Sequence, residues 1–150
     1  MAEYAVLETQ GGLARRLEGL VGAPARPAGR PDLLIVAPEV CRPLWAGTLD
    51  CGTVLLPGTA ARLLDGIAAA GAVSYGTSGR DSIALSSRDG ERLAVSLQRE
   101  LVRLDGTVVE RQELVLRAAR TLDHMRAMAL AGAMLLLGEE PSAVERTYLS

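Results

Sequence analysis

The residues of this chain best placed to do chemistry lie in the run Ser74-Tyr-Gly-Thr-Ser-Gly-Arg-Asp-Ser82. It supplies hydroxyls, a backbone that a ligand can approach at Gly76, and an Arg80–Asp81 pair. It follows a short apolar strand, and open α/β sheets place their ligands at the carboxyl ends of strands. A second candidate is Leu56-Pro57-Gly58-Thr59 at a strand-to-helix junction, where free N–H groups and the helix dipole could attract an anion. Both have a plainer reading that the sequence favours: an ordinary polar loop, and a helix capped by Thr59 with no ligand. His124 is the only imidazole, and no Gly-x-Ser-x-Gly elbow accompanies it, so no catalytic triad and no catalytic residue are assigned. A histidine on a helix surface or at the edge of a core is its plainer reading. The acid pairs Glu139-Glu140 and Asp89 with Glu91 fall at turns and read as solvated.

Absent residues exclude more than the present ones suggest. There is no lysine, asparagine or phenylalanine, a bias that a GC-rich genome produces, so the 16 arginines carry little functional information. The missing lysine rules out Schiff-base, phosphate-loop and acyl-adenylate lysine chemistry. Neither Gly-x-x-x-x-Gly-Lys-[Ser/Thr] nor Gly-x-Gly-x-x-Gly follows any strand. The 16 arginines are interspersed with 18 acids, for a net charge of −2, and no concentrated positive face for nucleic acid is evident. The uncharged stretch Ala127 to Leu137 is well short of the roughly 20 residues needed to span a bilayer. The start, Met-Ala-Glu-Tyr, does not read as a signal peptide, so a cytoplasmic location is expected. Cys41, Cys51 and a distant His124 are too few for a structural metal site, and no metal or cofactor is expected.

The elements that must position these residues can be read in order. Tyr4-Ala-Val-Leu-Glu8, Gly11-Gly12 and the spaced Leu13, Leu17, Leu20 and Val21 predict strand, turn and helix. Gly22 to Pro31 is a Pro-, Gly-, Ala- and Arg-rich loop. Asp32 to Ala37 and Cys51 to Leu56 are continuous apolar runs, as in parallel strands buried on both faces. A helix carrying Leu63, Leu64 and Ile67 is predicted after Thr59, and a strand over Ala72 to Tyr75. Three strand-like segments follow, Ser82 to Ser87, Leu93 to Leu104 and Val108 to Leu116. Asp89-Gly90 and Asp105-Gly106 join them as hairpin turns, and the slipped alternation predicts a bulge near Arg99 to Val102. Thr121 is expected to cap a helix that Gly138 ends, and Ser142-Ala-Val-Glu145 to cap a last one. The expectation is one α/β domain over 1–150: a mainly parallel sheet with flanking helices, Rossmann-like, then an antiparallel meander and C-terminal helices.

Read together, these segments resemble the central domain of the Mur ligases, the ATP-dependent enzymes that add amino acids to peptidoglycan precursors. Tyr4-Ala-Val-Leu-Glu8 resembles the family strand whose glutamate ligates magnesium, and Asp32 to Ala37 the strand that follows. Leu55-Leu-Pro-Gly-Thr59 falls where the family has Asn-x-Asp-Asp. Val73-Ser-Tyr-Gly76 resembles its Thr-Tyr-Gly segment, and His124 heads an Ala-rich helix like its closing His-Asn helix. The departures matter more. The phosphate loop would precede residue 1, Ala37-Pro-Glu-Val40 replaces the family's Asn-Ile…Asp-His, Met125 replaces its Asn, and the third domain is expected to be missing. Without a grip on triphosphate or metal, acyl-phosphate chemistry has no means of positioning or charge stabilisation.

The resemblance therefore implies a non-catalytic binding or interaction module in a cell-envelope setting, with a homodimer or another protein as partner. The Ala- and Met-rich helix Met125 to Leu137 is its candidate surface, although a core helix is the plainer reading. The alternative is a domain that binds a small ligand or nucleotide, with hydrolase or transferase activity. It would use Glu8, Gly58, Thr59, Tyr75, Gly76, Arg80, Asp81 and His124 at the carboxyl ends of the strands.

Overall fold

The structure, a computed structural model, describes residues 2–10, 12–23 and 30–150. Gly11 and most of the loop expected over 22–31 lie outside the described residues. The chain is a mixed α/β fold around one large sheet of order β1-β2-β3-β4-β5-β6-β9-β10. Its strands are β1 (Tyr4–Leu7), β2 (Leu33–Val36), β3 (Leu49–Pro57), β4 (Ile67–Gly76), β5 (Ile83–Asp89), β6 (Arg92–Leu97), β9 (Gln112–Ala118) and β10 (Tyr148–Leu149). Five of its seven neighbour pairs are parallel; only β5–β6 and β6–β9 are antiparallel. Two short strands, β7 (Leu101–Val102) and β8 (Val108–Val109), form a separate ribbon.

The apolar runs fix the centre of the sheet. All four residues of β2 are buried, as a strand flanked on both sides requires. Helix α1 (Leu13–Val21) buries Leu13 and Leu17, one turn apart on its inner face. Helix α2 (His124–Leu136) packs across β3, β4 and β5 and meets α1. Its close approach depends on Gly132, where a methyl group would lie 2.8 Å from Ile83 Cδ1 and 3.2 Å from Leu55 Cδ2. Residues Ala127 to Leu136 are all buried. The helix nominated as an interaction surface is thus the central core helix.

Several expectations change for physical reasons. The segment after Pro57 is a 3-10 stretch, Gly58–Gly66, rather than an α-helix, and Thr59 makes no side-chain cap. Strand β3 pairs with β4 from Leu49↔Ile67 to Pro57↔Tyr75. The connection must return over about 26 Å of strand, at about 3.3 Å per residue. Ten steps cover about 15 Å as α-helix but about 20 Å as the more extended 3-10 form. Ile67 accordingly starts β4 instead of closing a helix, and β4 is longer than the run Ala72 to Tyr75.

In the meander, β6 stops at Leu97, and the slipped alternation marks the chain leaving the sheet for the β7–β8 ribbon. The register shift lies in β5 instead, between Leu85 and Ser87. Asp123, not Thr121, caps α2 by accepting from the Arg126 N–H. Gly138 (φ 119°) ends α2 as expected, its N–H donating to the Leu135 carbonyl while that of Glu139 reaches Met134. Helix α3 (Pro141–Arg146) has Glu140 rather than Ser142 at its N-cap, without a side-chain bond. The Glu145 carboxylate turns away to accept from the Val115 N–H of β9, at 2.8 Å.

Candidate functional site

The carboxyl ends of β1, β2 and β4 meet the start of α2, and the polar groups gathered there bind one another. Glu8 follows β1 and spends both carboxylate oxygens on α1, accepting from the N–H groups of Leu13 at 2.8 Å and Ala14 at 3.1 Å. It fills the role that a capping side chain would have at Gly12. Glu39, just past β2, accepts from the N–H groups of Thr9 (2.8 Å) and Gln10 (3.1 Å) and pairs with the Arg126 guanidinium. Burial pushes the Glu39 carboxyl up, but these N–H groups and Arg126 outweigh it and hold it below the usual carboxylate range. Arg126 also pairs with Asp123 one turn back, at 3.3 Å, while its Nε is buried without a hydrogen-bonding partner among the described residues.

Tyr75 lies fully buried beneath this cluster and donates its phenol hydrogen to the Val36 carbonyl at 2.6 Å. Burial drives the phenol far above its ordinary range, and the charge of Glu39 adds to the effect, so Tyr75 is a fixed donor and not a base. Tyr75→Phe should cost about 1–2 kcal/mol, because the Val36 carbonyl loses its donor in a dry site. A urea titration showing no change in stability would mean that the phenol is not engaged as described. His124 begins α2, half-buried, with no hydrogen-bonding partner among the described residues.

The second group brings Gly58, Gly76 and Asp81 together. Asp81 is only 5% exposed and accepts from the Ser78 N–H at 3.0 Å. A methyl group on Gly58 would overlap Asp81 Oδ1 and lie 2.9 Å from its Cγ; one on Gly76 would lie 2.5 Å from Oδ2. The two glycines thus make room for this carboxylate. The expected Arg80–Asp81 pair is not formed: Arg80 is exposed, and only its backbone is engaged, with Ser78 Oγ and with Arg99. Thr59 is exposed and apart from these contacts.

The Glu39–Arg126–Asp123 cluster is the feature that sequence reasoning missed. Its only local signal is the Asp123-x-x-Arg126 spacing, which puts a cap and a cation on one turn. Among the described residues, no group of three or more His, Cys, Asp and Glu could hold a metal ion, and no helix is long and apolar enough to cross a membrane. A groove of about 850 Å³ lies at the opposite end of the strands, near the last turn of α2. None of the eight candidate residues lines it.

Compared with models of protein families and with characterised proteins, the chain has no match. The functional reading therefore rests on geometry.

Proposed function

We propose that this chain is a non-catalytic interaction module, a Mur-ligase-like central domain without phosphate chemistry, that binds a protein partner in a cell-envelope setting. One observation carries the reading: the carboxylates and the phenol at the carboxyl ends of the strands are engaged with nearby backbone groups and with Arg126. Glu8 caps α1, Glu39 holds Thr9, Gln10 and Arg126, Tyr75 serves Val36, and Asp81 lies between two glycines. A ligand entering here would have to displace satisfied hydrogen bonds in a partly dry site. The nucleotide-binding alternative, with hydrolase or transferase activity, requires Glu8 or Glu39 to abandon these partners.

Isothermal calorimetry with magnesium-ATP tests the choice. No heat of binding is expected at millimolar nucleotide. Micromolar uptake, or hydrolysis abolished by Glu8→Gln, would overturn the reading.

A further inference from the structure

Strands β6 and β9 alternate between two faces. Leu93, Val95 and Leu97 of β6 and Leu114 and Leu116 of β9 are buried against the core, while the residues between them point the other way. On that outer face the register sets Arg92 opposite Arg117, Ala94 opposite Val115, and Ser96 opposite Glu113. Arg92, Glu113 and Arg117 are exposed and Val115 is 38% exposed, so no described element covers the face. Tyr148 of β10, paired with Arg117 and also exposed, extends the arginine row.

The charges on this face are separated. Two guanidiniums lie directly across from each other, an arrangement that costs stability in an antiparallel pair. Neither makes a hydrogen bond or an ion pair among the described residues. Asp89 of β5 lies opposite Arg92 at the hairpin rim, on the side away from β9, and leaves Arg117 without a counter-charge. Four residues back along β9, about 13 Å away, Glu113 is the one acid of these two strands. It too makes no ion pair among the described residues. The apolar Ala94 and Val115 lie between the two ends.

We propose that this face packs against the same face of a second copy of the chain, in a weak two-fold dimer centred on Val115. A two-fold axis running across the strands through Ala94 and Val115 turns one copy end for end. It lays Arg117 over the partner's Glu113, Glu113 over the partner's Arg117, and Val115 over the partner's Val115. Arg92 then lies over the partner's Ser96, beside the same glutamate. An axis along the strands would set arginine over arginine, so the charges select one arrangement. Because the face carries its own complement, a second copy is the occupant it fits. The small side chains of Ala94 and Ser96 allow the two sheets to approach to the usual separation of about 10 Å. The face measures roughly 20 Å along the strands by about 15 Å across, well below the roughly 800 Å² per partner of a stable dimer, so the association is weak and reversible.

This inference rests on the chain being an interaction module, but the two fail separately. A strictly monomeric chain would remove the dimer alone, whereas nucleotide uptake at the carboxyl ends of the strands would remove the module and leave this face untouched. In sedimentation velocity at low ionic strength, the average mass should rise by roughly half between about 10 μM and about 1 mM chain. Glu113→Arg sets arginine over arginine in its own dimer, and Arg117→Glu sets glutamate over glutamate. Each variant should associate at least about tenfold more weakly than the native chain. An equimolar mixture of the two restores both ion pairs in a heterodimer and should associate about as strongly as the native chain, which also shows that both variants are folded. Three results would overturn the proposal: a native chain that stays monomeric at about 1 mM, a dimer that both single variants leave intact, or a mixture no stronger than its components.

Discussion

Replacing Gly58 with alanine should lower the unfolding midpoint by roughly 6–12 °C, taking a cost of about 3 kcal/mol for overpacking at a closed site and the usual scaling for a chain of this size. The added methyl would occupy the position of the Asp81 carboxylate, which is 5% exposed and so has little room to retreat. Asp81 would have to rotate away, give up the Ser78 N–H and leave its charge poorly partnered. Asp81→Ala alone should cost less, about 2 kcal/mol, the value of one hydrogen bond to a charged group. The decisive variant is the double one. In the Asp81→Ala background, Gly58→Ala meets no carboxylate and should add almost nothing, a coupling of about 2 kcal/mol or more between two residues far apart in sequence. Were the glycine substitution equally damaging in both backgrounds, the carboxylate would not be what Gly58 accommodates.

The same pair shows where sequence reasoning reached its limit. Gly58, Gly76 and Asp81 were all legible as special, because two glycines at strand ends beside a polar run are uncommon. That the glycines serve an internal carboxylate depends on the parallel pairing of β3 with β4, which no local pattern encodes. Strand β2 was legible because four consecutive buried apolar residues leave little else for Leu33–Val36 to be. The first half of β4 was not: Ala68 to Ala72 has the composition of a helix and becomes a strand only by pairing with β3. Glu8 was legible as a candidate ligand-binding residue from its place after a strand, but its bonds to the first N–H groups of the helix that follows depend on how the intervening turn folds back. Helix α2 could be placed from its alanines and its closing glycine, but its depth in the core depends on strands that approach from distant parts of the chain.

Glu39→Gln should be comparably damaging at neutral pH, by roughly 3 kcal/mol, since removing one partner of a mostly buried ion pair strands the other. The Arg126 side chain is 17% exposed and its Nε already lacks a partner among the described residues, so losing Glu39 leaves only the more exposed Asp123 to balance its charge. The sign of the pH dependence follows from the lowered carboxyl. A group that releases its proton more readily when folded contributes stability that is complete above its unfolded pKa, here the usual 4.5, and is lost as pH falls through the folded value. The native chain should therefore lose part of this contribution between neutral pH and the acid side of 4.5, and Glu39→Gln, which has nothing to protonate there, should not. Urea midpoints of the two proteins should be far apart at neutral pH and converge in acid. A gap that stayed constant would show that the substitution acts through packing and not through charge. Glu39→Gln combined with Arg126→Met should recover part of the loss, because an apolar side chain of similar length fills the site over Tyr75 without a charge to solvate.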